Sequence, residues 1–176
     1  MRKSAGKRFM LAEGKPARIV AKLNSLSNQE MVDELYAASK AGVKIDLIVR
    51  GVCCLKPGVP GLSENITVRS IVDRFLEHSR IFYFENGGDP EVYIASADWM
   101  TRNLTRRVEL MCPVFDKKNQ ESLINILQMC LNDNVKARQL QPNGLYEDVR
   151  SSENPPPRSQ FEAMRISSWK TTAREL

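Results

Sequence analysis

Apolar and polar positions alternate in blocks along the 176-residue chain, and the period of each block sets the element it predicts. Ala17 to Leu23 (ARIVAKL) reads as a strand. It leads into Ser27-Asn28-Gln29-Glu30, the spacing of a capping box in which Ser27 and Glu30 satisfy each other's end of a helix start. The helix is expected to reach about Lys40, with Gly42 as its C′ residue. Lys44 to Val49 (KIDLIV) is short and almost wholly apolar, the composition of a strand covered on both faces. Strand, capped helix and strand in such quick succession predict a parallel βαβ unit.

Beyond Arg50 the composition changes. Gly51 to Leu62 contains Cys53-Cys54, Pro57, Gly58, Pro60 and Gly61, so a surface loop is expected there. Ile66 to Phe75 fits strand or helix. Arg80 to Phe84 (RIFYF) and Glu91 to Ala97 (EVYIASA) predict a hairpin closed by the turn at Asn86-Gly87-Gly88-Asp89-Pro90. Arg107 to Val114 reads as a further strand. Lys117 to about Asn132 reads as an amphipathic helix with Leu123, Leu127, Cys130 and Leu131 on one face. After Pro142 the chain turns polar, and Pro155-Pro156-Pro157 sets off a last segment, Ser159 to Trp169, in which Phe161, Met164, Ile166 and Trp169 suit a docking helix. The basic opening, residues 1–14, reads as a strap or helix remnant of something upstream, which gives the chain the look of an excised domain.

Charge narrows the partners. Lysine and arginine number 26 against 21 aspartates and glutamates, a net charge of +5, so a charged ligand is expected to be an anion: nucleotide, polyphosphate, nucleic acid or acidic lipid. The four cysteines form no CxxC pair, and His78 is the only histidine, which argues against a zinc site or a disulfide framework. No run approaches the roughly 18 apolar residues of a membrane span. A cytoplasmic protein is expected, with peripheral membrane association left open.

Three stretches bring phosphate-compatible groups to predicted strand ends: Arg50-Gly51, Glu77-His78-Ser79-Arg80, and Ser96 to Asn103 (SADWMTRN). Ligands of open sheets with a parallel core gather beyond the carboxyl ends of strands. His78 is the sharpest candidate, because an imidazole exchanges protons near neutral pH; its alternative is a hydrogen-bonded histidine without chemistry. Arg50, Arg80, Arg102, Arg106 and Arg107 either gather as forks for phosphate oxygens or form a solvated basic face. Asn86-Gly87-Gly88 lacks the GxxxxGK[ST] pattern of a P-loop and reads as a turn. Tyr83, Phe84, Tyr93 and Trp99 suit a core better than a base-stacking site. His-Ser-Arg, then Glu85, then Ser96 in IASAD follows, in degenerate form, the HxK, D, GSxN rhythm of the phospholipase D fold.

Taken together, KIDLIVRGVCCLKPGVPGLSENITVRSIVDRFLEHSRIFYFENGGDPEVYIASADWMTRNLTRRVEL, with PARIVAKLNSL and ELYAASKAGV before it, is similar to the last catalytic domain of the long-chain (type 1) polyphosphate kinases. The resemblance runs from about Ala17 to Leu140. It implies an α/β, phospholipase D-like single domain, a mixed sheet flanked by helices, over residues 15–141, with a variable tail at 142–176. It also implies reversible transfer of the terminal phosphate of ATP to polyphosphate, with magnesium, in a site shared with a preceding domain that carries the phosphorylated histidine. The complete enzyme is then expected to be a homo-oligomer, and this chain alone inactive. By the same resemblance His78 is the general acid and Arg50 and Arg107 hold nucleotide or phosphate; Arg80 and Arg106, from the arginine cluster above, join them as phosphate-binding candidates. The family's metal-associated arginines lie upstream, so no metal residue is assigned here. Two rivals stand beside this reading. A phospholipase D-type phosphodiesterase would need a homodimer to supply a second histidine motif, and a basic nucleic-acid-binding domain is suggested by the charge alone.

Overall fold

The computed structural model describes residues 17–149 and 156–172, with side chains through residue 166; the expected strap at 1–14 and the side chain of Trp169 lie outside them. The βαβ unit forms as expected. β1 (Arg18–Leu23) and β2 (Lys44–Val49) pair in parallel, Ile19 against Ile45 through Leu23 against Val49, and β3 (Ile66–Ile71) adds in parallel to β2. The stretch after Ile66 is thus a strand rather than a helix. Both central strands are buried almost end to end, which suits sheet strands covered on two faces.

Around this core the sheet becomes antiparallel. β4 (Ile81–Phe84) pairs with β1, and β5 (Glu91–Ala95) returns beside β4 through a short 3-10 turn at Asn86–Gly88, in which Gly87 takes φ 67°. β6 (Met111–Pro113) closes that edge, shorter than the Arg107–Val114 strand expected, because residues 107–110 are irregular after a helix at Thr101–Arg106. On the other edge a hairpin of β7 (Ala137–Leu140) and β8 (Tyr146–Asp148), which the polar composition had hidden, joins β3. The order is β6-β5-β4-β1-β2-β3-β7-β8, so the sheet runs past residue 141.

The helices are numbered in chain order. α1 (Gln29–Lys40) covers one face, where Ile19, Ala21, Leu23, Ile45, Leu47, Val49 and Val68 pack against Val32, Leu35 and Ala38. α2 is the short Thr101–Arg106 helix, and α3 (Lys117–Asn132) covers the opposite face with Leu127 and Cys130 on Val20, Ile48, Ile81 and Val92. α4 (Ser159–Thr172) follows the Pro-rich link. The predicted capping box at Ser27 and Glu30 does not form. Asn28 is the cap, its Oδ1 accepting from the Met31 amide at 2.9 Å, while the amides of Ser27 and Asn28 both donate to the Trp99 carbonyl. Gly42, at φ 88°, ends the helix as expected.

The Gly51–Leu62 loop is more than surface. Leu55 is buried in the core, and the loop is stitched to Leu26, whose amide donates to Val52 O and whose carbonyl accepts from Cys54 N. Phe82 stacks on Trp99 with ring centroids 5.1 Å apart and Phe84 meets Tyr93 edge-on, so these rings serve the core. Among the described residues no helix is long and apolar enough to cross a membrane.

Candidate functional site: a cationic cleft at the strand ends

The carboxyl end of β1, the start of β4 and the carboxyl end of β5 lie side by side, because β1 and β4 run antiparallel with Lys22 opposite Ile81. A cleft of about 310 Å³ opens there, lined by Asn24, His78, Arg80, Ser96, Asp98, Arg102, Asn103 and Arg107 among others. The histidine and three of the five expected arginines, Arg80, Arg102 and Arg107, therefore converge on one recess.

Asp98 is the node of the site. Its Oδ1 accepts from the amides of Asn24 (2.7 Å) and Ser25 (3.3 Å) and from Arg80 Nε (3.0 Å), and its Oδ2 accepts from Arg80 Nη2 (3.0 Å). The pair is largely buried, with 6% of the Asp98 side chain and 14% of the Arg80 side chain exposed. Burial alone would raise the Asp98 carboxyl. The bonds from Arg80 and the two amides outweigh it and hold the group below the ordinary carboxylate range.

Arg80 in turn faces His78, its Nη2 lying 2.6 Å from the ring Nε2. A guanidinium can only donate, so Nε2 must accept, and this geometry requires the neutral imidazole with its proton on Nδ1. Desolvation first, then the charges of Arg80, Arg50 and Lys22, lower the His78 pKa below its ordinary value, with Asp98 opposing them. Beneath the histidine the buried Lys22 ammonium is bonded to the Glu77 carboxylate and reaches Ser79 O at 3.4 Å. Burial, with Arg50 and Arg80 nearby, lowers the Lys22 pKa, although Cys130 opposes the shift.

The far rim is polar. Glu109 accepts from the Ser96 hydroxyl and from Asn103 Nδ2 (2.6 Å), and these bonds hold its carboxyl low. Arg102 and Arg107 are exposed on this rim, and among the described residues they form no ion pair.

Two expected residues fall elsewhere. Arg106, also exposed and the last residue of α2, is not among the residues that line the cleft. Arg50 lines a neighbouring groove of about 700 Å³ with Ser70, Lys136, Arg138 and Tyr146. It still touches the site, since its Nε donates to Asn24 Oδ1 at 2.8 Å and Asn24 lines the cleft. Glu85, the acid of the degenerate motif, lies at the other end of β4, where its amide meets Arg18 O. Lys22, Asn24 and Glu109 lie outside the three stretches that the sequence points to, whereas Asn103 ends one of them. Lys22 carried a signal, being the one cation inside an apolar central strand.

Among the described residues no group of three or more histidines, cysteines, aspartates or glutamates is placed to hold a metal ion. The carboxylates of the cleft are engaged by Arg80, Ser96 and Asn103, so the residues present do not fit a magnesium site of their own.

Comparisons with known proteins identify the family and the fold. Residues 7–160 match the family model described as polyphosphate kinase C-terminal domain 2. The chain is 55% identical over 145 residues to a polyphosphate kinase of Rhodopirellula baltica, covering 82% of this chain and 17% of that protein. It is 54% identical over 147 residues to that of Pseudomonas putida, covering 84% and 20%. The crystal structure of polyphosphate kinase from Porphyromonas gingivalis superposes with a TM-score of 0.90 at 42% identity, over 96% of this chain and 26% of that one. A phospholipase D family member, Nuc from Salmonella typhimurium, shares the fold at 15% identity, with a TM-score of 0.53 over 84% of this chain and 89% of that one. The chain thus spans about a fifth of the length of the curated relatives it matches. A phospholipase D-like mixed sheet, a strand-end cleft built on His78, Arg80 and Asp98, and a family match over most of the length lead to one conclusion: the chain belongs to the polyphosphate kinase C-terminal domain family.

Proposed function

We propose that this domain supplies one wall of an ATP:polyphosphate phosphotransferase site, in which the terminal phosphate of ATP moves reversibly to the end of a polyphosphate chain. The observation that carries the reading is His78, held with its ring nitrogen against a fixed guanidinium in a cleft whose rim presents Arg102 and Arg107, which form no ion pair among the described residues. Such cations are suited to phosphate oxygens, and phosphoryl transfer is chiefly positioning and electrostatic stabilisation. In this proposal a preceding domain of the same polypeptide contributes the histidine that carries the phosphate covalently, magnesium arrives with the nucleotide, and the complete enzyme self-associates. Once bound phosphate has shifted His78 to its imidazolium form, the ring gives its extra proton to the leaving oxygen of ADP, becoming neutral, and takes it back in the reverse direction.

The proton logic is testable, because His78 is the only histidine of the chain and its ring signal is unambiguous by NMR. In the free chain its titration midpoint should lie below about 6.5, the ordinary value. Inorganic tripolyphosphate should raise it, since an anion among the arginines reverses the sign of the local potential and favours the imidazolium. A midpoint that ignores tripolyphosphate removes His78 from the phosphate site.

Arg50 offers a second check. Asn24 holds its Nε, and its terminal nitrogens have no partner among the described residues, which leaves them free for a phosphate at the edge of the cleft. Arg50→Ala in the complete enzyme should reduce kcat/KM for ATP by the worth of one or two charge-assisted hydrogen bonds, roughly 1.5 to 3 kcal/mol each. Unchanged kinetics would remove the assignment.

A further inference from the structure

The loop that carries His78 is held from outside the sheet by the segment that follows the Pro-rich link. Residues 72–80 join β3 to β4 and bury little of their own, with Val72 67%, Phe75 47% and Leu76 78% exposed. Packing therefore does not fix this loop, and polar ties must. The tie near its start is Asp73, whose side chain is 1% exposed and takes both branches of one guanidinium: Arg158 Nε donates to Oδ2 at 2.9 Å and Nη2 to Oδ1 at 2.5 Å. Two residues on, the Gln160 side chain bonds the Phe75 backbone in both directions, accepting from its amide at 2.9 Å and donating to its carbonyl at 2.8 Å. At the other end of the loop Lys22 meets Glu77 and Ser79.

The clamp is itself anchored. Between Arg158 and Gln160, Ser159 donates its amide and its hydroxyl to Asp133 Oδ2, both at 2.7 Å. Asp133 is wholly buried, and its Oδ1 takes the amides of Val135, Lys136 and Ala137 at the corner between α3 and β7. Asn134 N donates to Pro157 O, and the Arg158 guanidinium lies 4.1 Å from the centroid of the Phe161 ring. The first turn of α4 is thus braced on the sheet's far corner and grips the histidine loop.

The geometry points to Arg158 and Gln160 as positioning residues that set where His78 stands in the cleft, acting through Asp73 and the Phe75 backbone. Only the kinetic consequence rests on the transferase reading; the restraint on the loop does not. The Arg158 bond, against an opposing burial effect, holds the Asp73 carboxyl below its ordinary range, with Arg74 N and Lys136 adding to the effect. Asp73 therefore stays ionised while His78 titrates, and the clamp does not open over that interval.

The test compares the 176-residue chain with its Arg158→Ala/Gln160→Ala form. Amide exchange across residues 74–79 should quicken about tenfold or more while β1 and β2 keep their protection, because the opening is local. The His78 midpoint should move toward about 6.5 as the ring leaves its cationic neighbours. Arg158→Lys keeps the charge without the fork and should give an intermediate rate. If the double variant does not fold, the reciprocal exchange Asp73→Arg with Arg158→Asp supplies the measurement, since it should regain most of the protection that either single change removes. In the complete enzyme the double variant should lower kcat about tenfold with KM for ATP nearly unchanged, as displaced catalytic groups do. Unaltered loop exchange and an unaltered His78 midpoint in a folded variant overturn the inference, whatever reaction the enzyme performs. Faster exchange and a shifted midpoint with unaltered kcat uphold the restraint and instead count against His78 as proton donor.

Discussion

Replacing His78 by alanine in the complete enzyme should lower turnover by about 10²- to 10⁴-fold, the usual worth of a well-placed general acid or base. The protein should remain folded. The ring is exposed, and its hydrogen bond in the structure is to Arg80, which keeps its two bonds to Asp98 without it. Loss of kcat at nearly constant KM is the expected signature, because a proton donor acts in the transition state more than in binding. Measured synthesis and ATP-forming rates close to those of the parent would end the catalytic assignment. A rise in KM alone would reduce His78 to a phosphate contact.

The largest effect on stability should come from Asp98→Ala. That change strands the Arg80 guanidinium, which is largely buried, and leaves the amides of Asn24 and Ser25 without their acceptor. Removing one partner of a buried pair costs about 3 to 5 kcal/mol, because the remaining charge is left without compensation. Urea unfolding of the 176-residue chain should show a lowered midpoint with little change in slope. A loss under about 1 kcal/mol would mean that water reaches Arg80 and that the pair is not the node described here. The Arg80→Met/Asp98→Leu double variant should recover part of the stability, since an apolar pair removes both buried charges together with the cost of burying them.

Much of this was legible along the chain. The apolar runs at Ala17–Leu23 and Lys44–Val49 announce buried central strands, and the hairpin of β4 and β5 follows from two aromatic-rich runs around Asn86-Gly87-Gly88. The failures share a cause: tertiary context overrode local pattern. Ser27 and Glu30 have the spacing of a capping box, yet the Trp99 carbonyl claims the Ser27 and Asn28 amides, and the cap moves to Asn28. β7 and β8 are short, polar and at an edge, so no apolar period betrays them. At the site, side-chain type was enough to find His78 and Arg80. The role of Asp98, bonded across more than seventy residues to Asn24 and Ser25, depends on a contact that periodicity does not encode.

Leu26 carries a consequence for motion. Its backbone bridges both Cys53 in the loop after β2 and Trp99 in the segment after β5, so the two stretches that frame Arg50 and Asp98 share a single ridge of main chain. Neither can swing without breaking its own pairing with that ridge. If the proposed function holds, a closing stroke over bound nucleotide should come from whatever faces this surface, which would meet it as a die rather than a pair of jaws.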